Sequence, residues 1–324
     1  AKPEQLLVEK NPPSGFSLTA NNDTMGETGE FYTHNFPAHN ARADRIRELL
    51  VQKRKFSTKD FCSMQLDLYD QRARDVLPDL IKILRKCKDK EVKLASKLLD
   101  EWDCCASIES EGACLYYPFL DRFWQRKFMH KVLKDDLINL LPLGAPGLNR
   151  FDISSFNNPK ADWKDYKELL ETTIQEEMRS VVDLVKLSLG NDYSKWRWGD
   201  LHKIQFRHSL SNYTDWEKFR LGPDEIGGSA TTLGMAMHMG KGPGKASENE
   251  VPCKVFHGPA YRLVVDLADH QHAKFVIAGG NGGRTDSDFS MNQYATWLKG
   301  EYFTLNLKRE EVEEHTVWKF EKIN

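Results

Sequence analysis

The sequence predicts an α+β protein in which helices come first and strands follow. Two observations carry that prediction. Between residues 41 and 190, apolar side chains recur at three- and four-residue spacing. From Trp196 onward they gather in short runs bounded by Gly, Asp or Asn, with glycine-rich loops between them. Neither an internal repeat nor a low-complexity tract is visible, so a single core is expected, one that takes in strands from other segments.

Taken in order, residues 1–18 contain Pro and Gly and read as an extended lead-in. Phe16-Ser17-Leu18-Thr19-Ala20 alternates weakly, as a short strand would, and the polar stretch from Asn21 to Thr33 reads as a loop. Ala41 to Lys53 places Ile46, Leu49 and Leu50 on one helical face. Ser57 is an N-cap, with the Asp60 carboxylate near the start of its helix, and Phe61, Met64, Leu66, Leu68 and Tyr69 form a broad apolar face. Leu77, Leu80, Ile81 and Leu84 continue the pattern to Arg85-Lys86. Val92, Leu94, Leu98 and Leu99 mark a helix ending near Trp102, and Cys114 to Leu133 reads as helical after Pro118. Trp163 to Gly190 is the longest amphipathic stretch. Val264-Val265 with Leu267, and Phe275-Val276-Ile277, read as two buried strands. Glu310 to His315 is helix-like and Val317 to Phe320 strand-like. Three regions result: a lead-in and loop over 1–38, a mainly helical region over 39–195 and a strand-rich region over 196–324, expected to fold together as one unit.

Composition narrows the function classes. Lys plus Arg total 46 against 48 Asp plus Glu in 324 residues, so no net field draws nucleic acid or an acidic membrane. No apolar run approaches the ~20 residues of a membrane span. Six cysteines without a Cys-x-x-Cys pair read as buried free thiols, with one or two disulfides as the alternative, and make neither a disulfide scaffold nor a structural zinc site. Gly234 to Lys241 misses the phosphate-loop spacing by one residue and has Gly242 where Ser or Thr is needed. Gly279 to Gly283 does not match a dinucleotide fingerprint. His270 and His272 lack a third metal ligand at suitable spacing, and the Met235, Met237, Met239 and His238 cluster reads as packing.

Four segments, in order, carry a resemblance. They are Ser14-Gly15-Phe16-Ser17-Leu18-Thr19-Ala20-Asn21-Asn22, Ala43-Asp44-Arg45-Ile46, Trp196-Arg197-Trp198-Gly199-Asp200-Leu201-His202-Lys203-Ile204 with Phe206-Arg207-His208, and Gly258-Pro259-Ala260-Tyr261-Arg262-Leu263-Val264-Val265-Asp266-Leu267-Ala268-Asp269. With Trp297-Leu298-Lys299-Gly300-Glu301-Tyr302 near the end, the chain resembles the later part of the penicillin acylase β-chain over nearly its whole length.

The resemblance implies the αββα fold of the N-terminal-nucleophile hydrolases, with strands completing a sheet shared with other segments. It implies an amidase that processes itself and whose new N-terminal residue attacks the carbonyl of a linear acyl amide, such as a penicillin or an N-acyl-homoserine lactone. Asn21 corresponds to the oxyanion-hole donor, and Arg45 to an arginine that helps order the active site. Trp196, Trp198, His202 and His208 correspond to structural positions. No cofactor is required. Many relatives hold a structural calcium, but the stretch Glu27 to Ala38 offers no Asp to match its ligands. Residue 1 is Ala, so the nucleophile is expected on a further segment, and the partners are the α-chain and the nucleophile-bearing N-terminal part of the β-chain, besides a small acyl-amide substrate. A periplasmic or secreted location is expected, although Ala1 to Gln5 shows no signal-peptide pattern. The alternative is a non-catalytic binding or assembly subunit derived from the same family, because Gly283 to Ser290 matches the family loop only in part.

Overall fold

A computed structural model describes residues 8–24, 40–122, 128–132, 164–206, 221–238, 253–284 and 286–306. In chain order its α-helices are α1 (Ala41–Val51), α2 (Thr58–Gln65), α3 (Gln71–Leu84), α4 (Lys90–Glu101), α5 (Glu111–Arg122), α6 (Met129–Val132), α7 (Lys167–Leu189), α8 (Trp198–Leu201) and α9 (Tyr294–Leu298). The strands are β1 (Lys203–Phe206), β2 (Leu221–Glu225), β3 (Met237–His238), β4 (Lys254–His257), β5 (Tyr261–Val264), β6 (His272–Ile277) and β7 (Phe303–Asn306). They divide into two compact units, Ala1–Arg54 with Leu66–Gly258, and Lys55–Gln65 with Pro259–Asn324. Mixed helices and sheets agree with the α+β prediction.

The first unit is helical around one core. Leu80 and Leu84 of α3, Leu99 of α4, Leu115 and Phe119 of α5, and Ile174, Met178 and Val181 of α7 are almost wholly buried, joined by Trp196 and Trp198. These are the positions that the three- and four-residue spacing selects. Burial of each such side chain contributes about 1.5–3 kcal/mol. Asp70 starts α3 in extended geometry and accepts from the Arg72 and Ala73 backbone N–H groups at 2.9 and 3.2 Å. A four-stranded sheet in the order β2-β1-β4-β3 completes the unit, with β1 and β4 parallel and the other pairs antiparallel.

The second unit holds α2, a three-stranded antiparallel sheet in the order β5-β6-β7, and α9. Ser57 and Asp60 cap α2 reciprocally: the Ser57 N–H and hydroxyl donate to the Asp60 carboxylate at 2.7 and 2.8 Å, and the Asp60 N–H donates to the Ser57 hydroxyl at 3.3 Å. The sheet register sets Leu263 opposite Phe275, and Phe275 opposite Phe303. Tyr261, Leu263 and Phe303 are 60%, 40% and 44% exposed, so one face of the sheet presents an apolar row. The other face buries Arg262, Val264 and Val276.

Several elements differ from the sequence reading. Phe16–Ala20 forms no strand among the described residues, because a weak alternation gives no ladder without a partner. The apolar stretch from Ser57 to Lys86 is not one helix: it breaks at Leu66–Asp70, where the backbone pairs with Cys104 and Ala106 instead. Helix α5 begins at Glu111 and runs through Pro118 rather than starting after it. The helix-breaking penalty of roughly 3 kcal/mol is offset by full burial of Tyr116 and Phe119 on either side of the proline. The strand at 261–264 stops before Val265, and Leu267 is 90% exposed, so that run is a half-buried edge strand. Strands β1, β2, β3, β4 and β7 do not stand out in the sequence, since each is short and mixes polar with apolar residues; Met237 and His238, which read there as packing in a loop, form β3. The expected elements over 310–320 lie outside the described residues.

Candidate functional site

Asn21 sits in a tight turn at the start of the chain. Its φ is 62°, the left-handed region that Asn tolerates better than other side-chain-bearing residues. The turn is held from both sides. Asn22 Oδ1 accepts the Ala20 N–H at 3.0 Å, which gives Asn22 a structural role. Arg42, in the first turn of α1, sends one guanidinium nitrogen, Nη2, to the Ala20 carbonyl and to Asn21 Oδ1, both at 2.9 Å.

That last contact fixes the orientation of the amide. A guanidinium has only donors, so the amide must turn its oxygen to Arg42. The Nδ2 end, with two protons to donate, then faces away from the arginine. Asn21 is an exposed residue, and among the described residues its Nδ2 makes no hydrogen bond. The sequence reading did not identify Arg42. One signal was available: a cation in a helix's first turn opposes the macrodipole and therefore invites a specific explanation.

Arg45 lies one turn further along α1 and is bound elsewhere. Its Nε and Nη2 donate to the two oxygens of Asp67 at 3.1 and 2.7 Å, a bidentate pair. Nη1 lies 3.2 Å from Glu48, and the guanidinium stacks 4.5 Å over the Tyr69 ring. Hydrogen bonding to Asp67 and Glu48 pushes its pKa up, against a smaller opposing effect of burial. Asp67 also accepts the Tyr69 N–H at 3.1 Å, so Arg45 orders the segment that links α2 to α3.

Two of the described histidines, His202 and His238, pack beside Trp198. His202 is wholly buried, stacked 4.4 Å from Trp198, with Nδ1 2.7 Å from the Ile226 carbonyl and Nε2 3.1 Å from that of Ala236. Burial chiefly, then neighbouring His238, holds its pKa down to about 3, against the two carbonyls. A neutral ring carries one N–H, which one of the two carbonyls accepts. His238 packs edge-on to Trp198 and lies 2.9 Å from Asp121. Trp196 and Trp198 are buried and donate to the carbonyls of Gly190 and Gly228. His208 lies outside the described residues.

The cysteines are equally quiet. All six are free; burial raises the Cys104 thiol to about 11 and lifts Cys114 and Cys253 higher still, so none of these three is an activated nucleophile. Among the described residues no group of three His, Cys, Asp or Glu could hold a metal. The stretch considered for calcium, Glu27 to Ala38, lies outside them. A cavity of about 360 Å³ is lined by Leu98, Trp102 and the carboxylates Glu101, Asp103, Glu109 and Glu111. That acidic lining does not suit an acyl chain and includes neither Asn21 nor Arg42.

Comparison with known proteins then gives these findings. The model of the penicillin amidase family matches residues 1–314. An acyl-homoserine lactone acylase, QuiP, from Pseudomonas syringae pv. tomato is 23% identical over 94% of this chain and 38% of its own length. The protein of the same name from Pseudomonas aeruginosa is 22% identical over 91% of this chain and 38% of its own. The chain therefore spans about two fifths of the length of these curated relatives. A solved thermostable penicillin G acylase from Alcaligenes faecalis matches with a TM-score of 0.55 at 14% identity, over 97% of this chain and 58% of that one. At such identity the likeness speaks for the fold alone.

Proposed function

We propose, from the premise that the chain belongs to the penicillin amidase family, that it is the charge-stabilising part of an acylase hydrolysing linear acyl amides. The observation that carries this is Asn21, an exposed residue whose amide oxygen is anchored by Arg42, which leaves its amide protons to donate elsewhere. When a nucleophile attacks an amide carbonyl, charge develops on the carbonyl oxygen, and a donor fixed beforehand lowers the barrier. A neutral side-chain amide suits that task because it needs no change of protonation.

The nucleophile comes from a segment outside this sequence. The chemistry needs no cofactor: the attacking residue and its own α-amino group supply nucleophile and base. Arg45 orders the region behind the site through Asp67. The partners are then the remaining segments of the same acylase, produced by self-cleavage. The apolar row of Tyr261, Leu263 and Phe303 supports this reading, since such a face favours cover by further chain. The substrates are small acyl amides, with N-acyl-homoserine lactones and penicillins as the first to try. Among the described residues no helix is long and apolar enough to cross a membrane, and a periplasmic or secreted setting fits the reading.

The test uses the full-length protein and a chromogenic acyl amide. Asn21→Gly removes the amide without straining the left-handed backbone, where Ala would cost about 1–2 kcal/mol. The expected result is a fall in kcat of roughly 10²–10³ with little change in KM. Unchanged turnover in the variant would overturn the donor role. A full-length protein that hydrolyses no member of an acyl-amide panel would leave the non-catalytic binding or assembly subunit as the reading.

A further inference from the structure

We infer that Arg42 is the positioning residue of the Asn21 donor: its guanidinium locks the amide's orientation and strengthens its N–H groups. This rests on Asn21 being the oxyanion donor, as proposed above.

Three observations converge on Arg42. A single nitrogen, Nη2, binds both the Ala20 carbonyl and the Asn21 side-chain oxygen at 2.9 Å, so backbone and side chain of the turn are tied to one point. Asn22 meanwhile holds the Ala20 N–H at 3.0 Å, leaving both polar backbone groups of Ala20 fixed. The turn places Asn21 at φ 62°, a conformation needing external support when the residue is not glycine. Arg42 supplies that support from the first turn of α1.

The position of the cation has a second effect. An amide whose oxygen accepts from a positive donor is polarised, and its own N–H groups become better donors. Charge developing on a substrate oxygen would then meet an amide already biased toward it. Without Arg42, two things fail together: the amide is free to flip its acceptor end toward the oxyanion, and the polarisation is lost. A flipped amide would repel the transition state.

Arg45 cannot replace Arg42 here, because its Nε and Nη2 are engaged with Asp67 and its Nη1 lies beside Glu48. The two arginines divide the labour along α1. Arg45 organises the 66–69 segment, and Arg42 organises the turn.

The test is a double-mutant cycle on the full-length enzyme, read as kcat and KM on one chromogenic acyl amide. Arg42→Ala should lower kcat by about 10- to 100-fold with KM nearly unchanged, a share of the ~10²–10³ that a lost oxyanion donor costs. In the Asn21→Gly background the same change should cost less than about threefold, because a positioning residue has nothing left to position. Added guanidinium should restore turnover to Arg42→Ala but not to the double variant. If Arg42→Ala does not fold, Arg42→Lys is compared in both backgrounds: a loss that vanishes with Asn21→Gly supports the inference, and an equal loss in both overturns it. If Asn21→Gly lowers kcat while Arg42→Ala is silent or additive, Arg42 has no positioning role and the donor role of Asn21 stands. If Asn21→Gly itself leaves kcat unchanged, the donor role falls and the inference falls with it.

Discussion

Asp70 and Asn21 are both polar residues at turns of the first unit, and they are treated in opposite ways. Asp70 is fully buried. One of its oxygens takes the Arg72 and Ala73 N–H groups; the other receives the hydroxyls of Tyr117 at 2.8 Å, Thr231 at 2.6 Å and Ser229 at 3.3 Å. Asn21 is exposed, and its oxygen takes a bond from Arg42. Bond density thus follows the needs of the fold. A residue that must present a donor to a substrate has to keep that donor unspent. A dense hydrogen-bond centre of the unit is therefore not its candidate catalytic point.

The largest test of that contrast is Asp70→Ala. It strips the partner from two backbone N–H groups and three hydroxyls, several of them buried, at about 1–3 kcal/mol for each left unsatisfied. A loss on the order of 4 kcal/mol or more in denaturant unfolding is expected. Asn21→Gly should move the same curve by only a few tenths of a kcal/mol while abolishing most turnover. Equal destabilisation by the two would erase the contrast.

Acid sharpens it next. His202 titrates at about 3 when folded, below the ordinary 6.5. The unfolded chain therefore takes up the proton first, and the stability held above pH 6.5 falls as pH drops toward 3. The slope from this residue alone is at most about 1.4 kcal/mol per pH unit. Chemical denaturation between pH 7 and 5 should show the slope, and His202→Asn should flatten it; an unchanged slope would mean that the ring is not buried neutral. The smallest effect is expected from Ser57→Ala in the second unit, about 1 kcal/mol for a lost cap, measured by the same unfolding curve. No change would show that the Ser57–Asp60 pair forms without stabilising α2.

Much of the fold was legible because helices announce themselves locally. Leu77, Leu80, Ile81 and Leu84 bury one face of α3, as their spacing requires. The β1 segment, Lys203-Ile204-Gln205-Phe206, carries no such mark, since it exists through pairing with Gly222-region and Val255-region strands far away in sequence. Asp70 was readable in principle as an N-cap before Gln71, but three of its hydroxyl partners lie 47, 159 and 161 residues away. The site divides similarly. Asn21 and Arg45 were marked by family motifs, whereas Arg42 gains meaning only when α1 is folded against the turn. Glycines show the same limit: Gly228, read merely as a loop, has φ 93° and a Cβ there would be driven into the Gly234 carbonyl.

The φ of 62° at Asn21 has a consequence for which sequences can survive there. Backbone shape admits Gly, Asn and, less readily, Asp at that angle. The proposed chemistry admits side chains that end in a neutral amide. Gly satisfies the first demand and fails the second; Gln satisfies the second and strains the first; Asp brings a negative charge to the place where one must be welcomed. Of the twenty residues, only Asn stands in both sets. A saturation library at this codon, selected for turnover in the full-length protein, should return a single amino acid, while one selected for folding alone should return several.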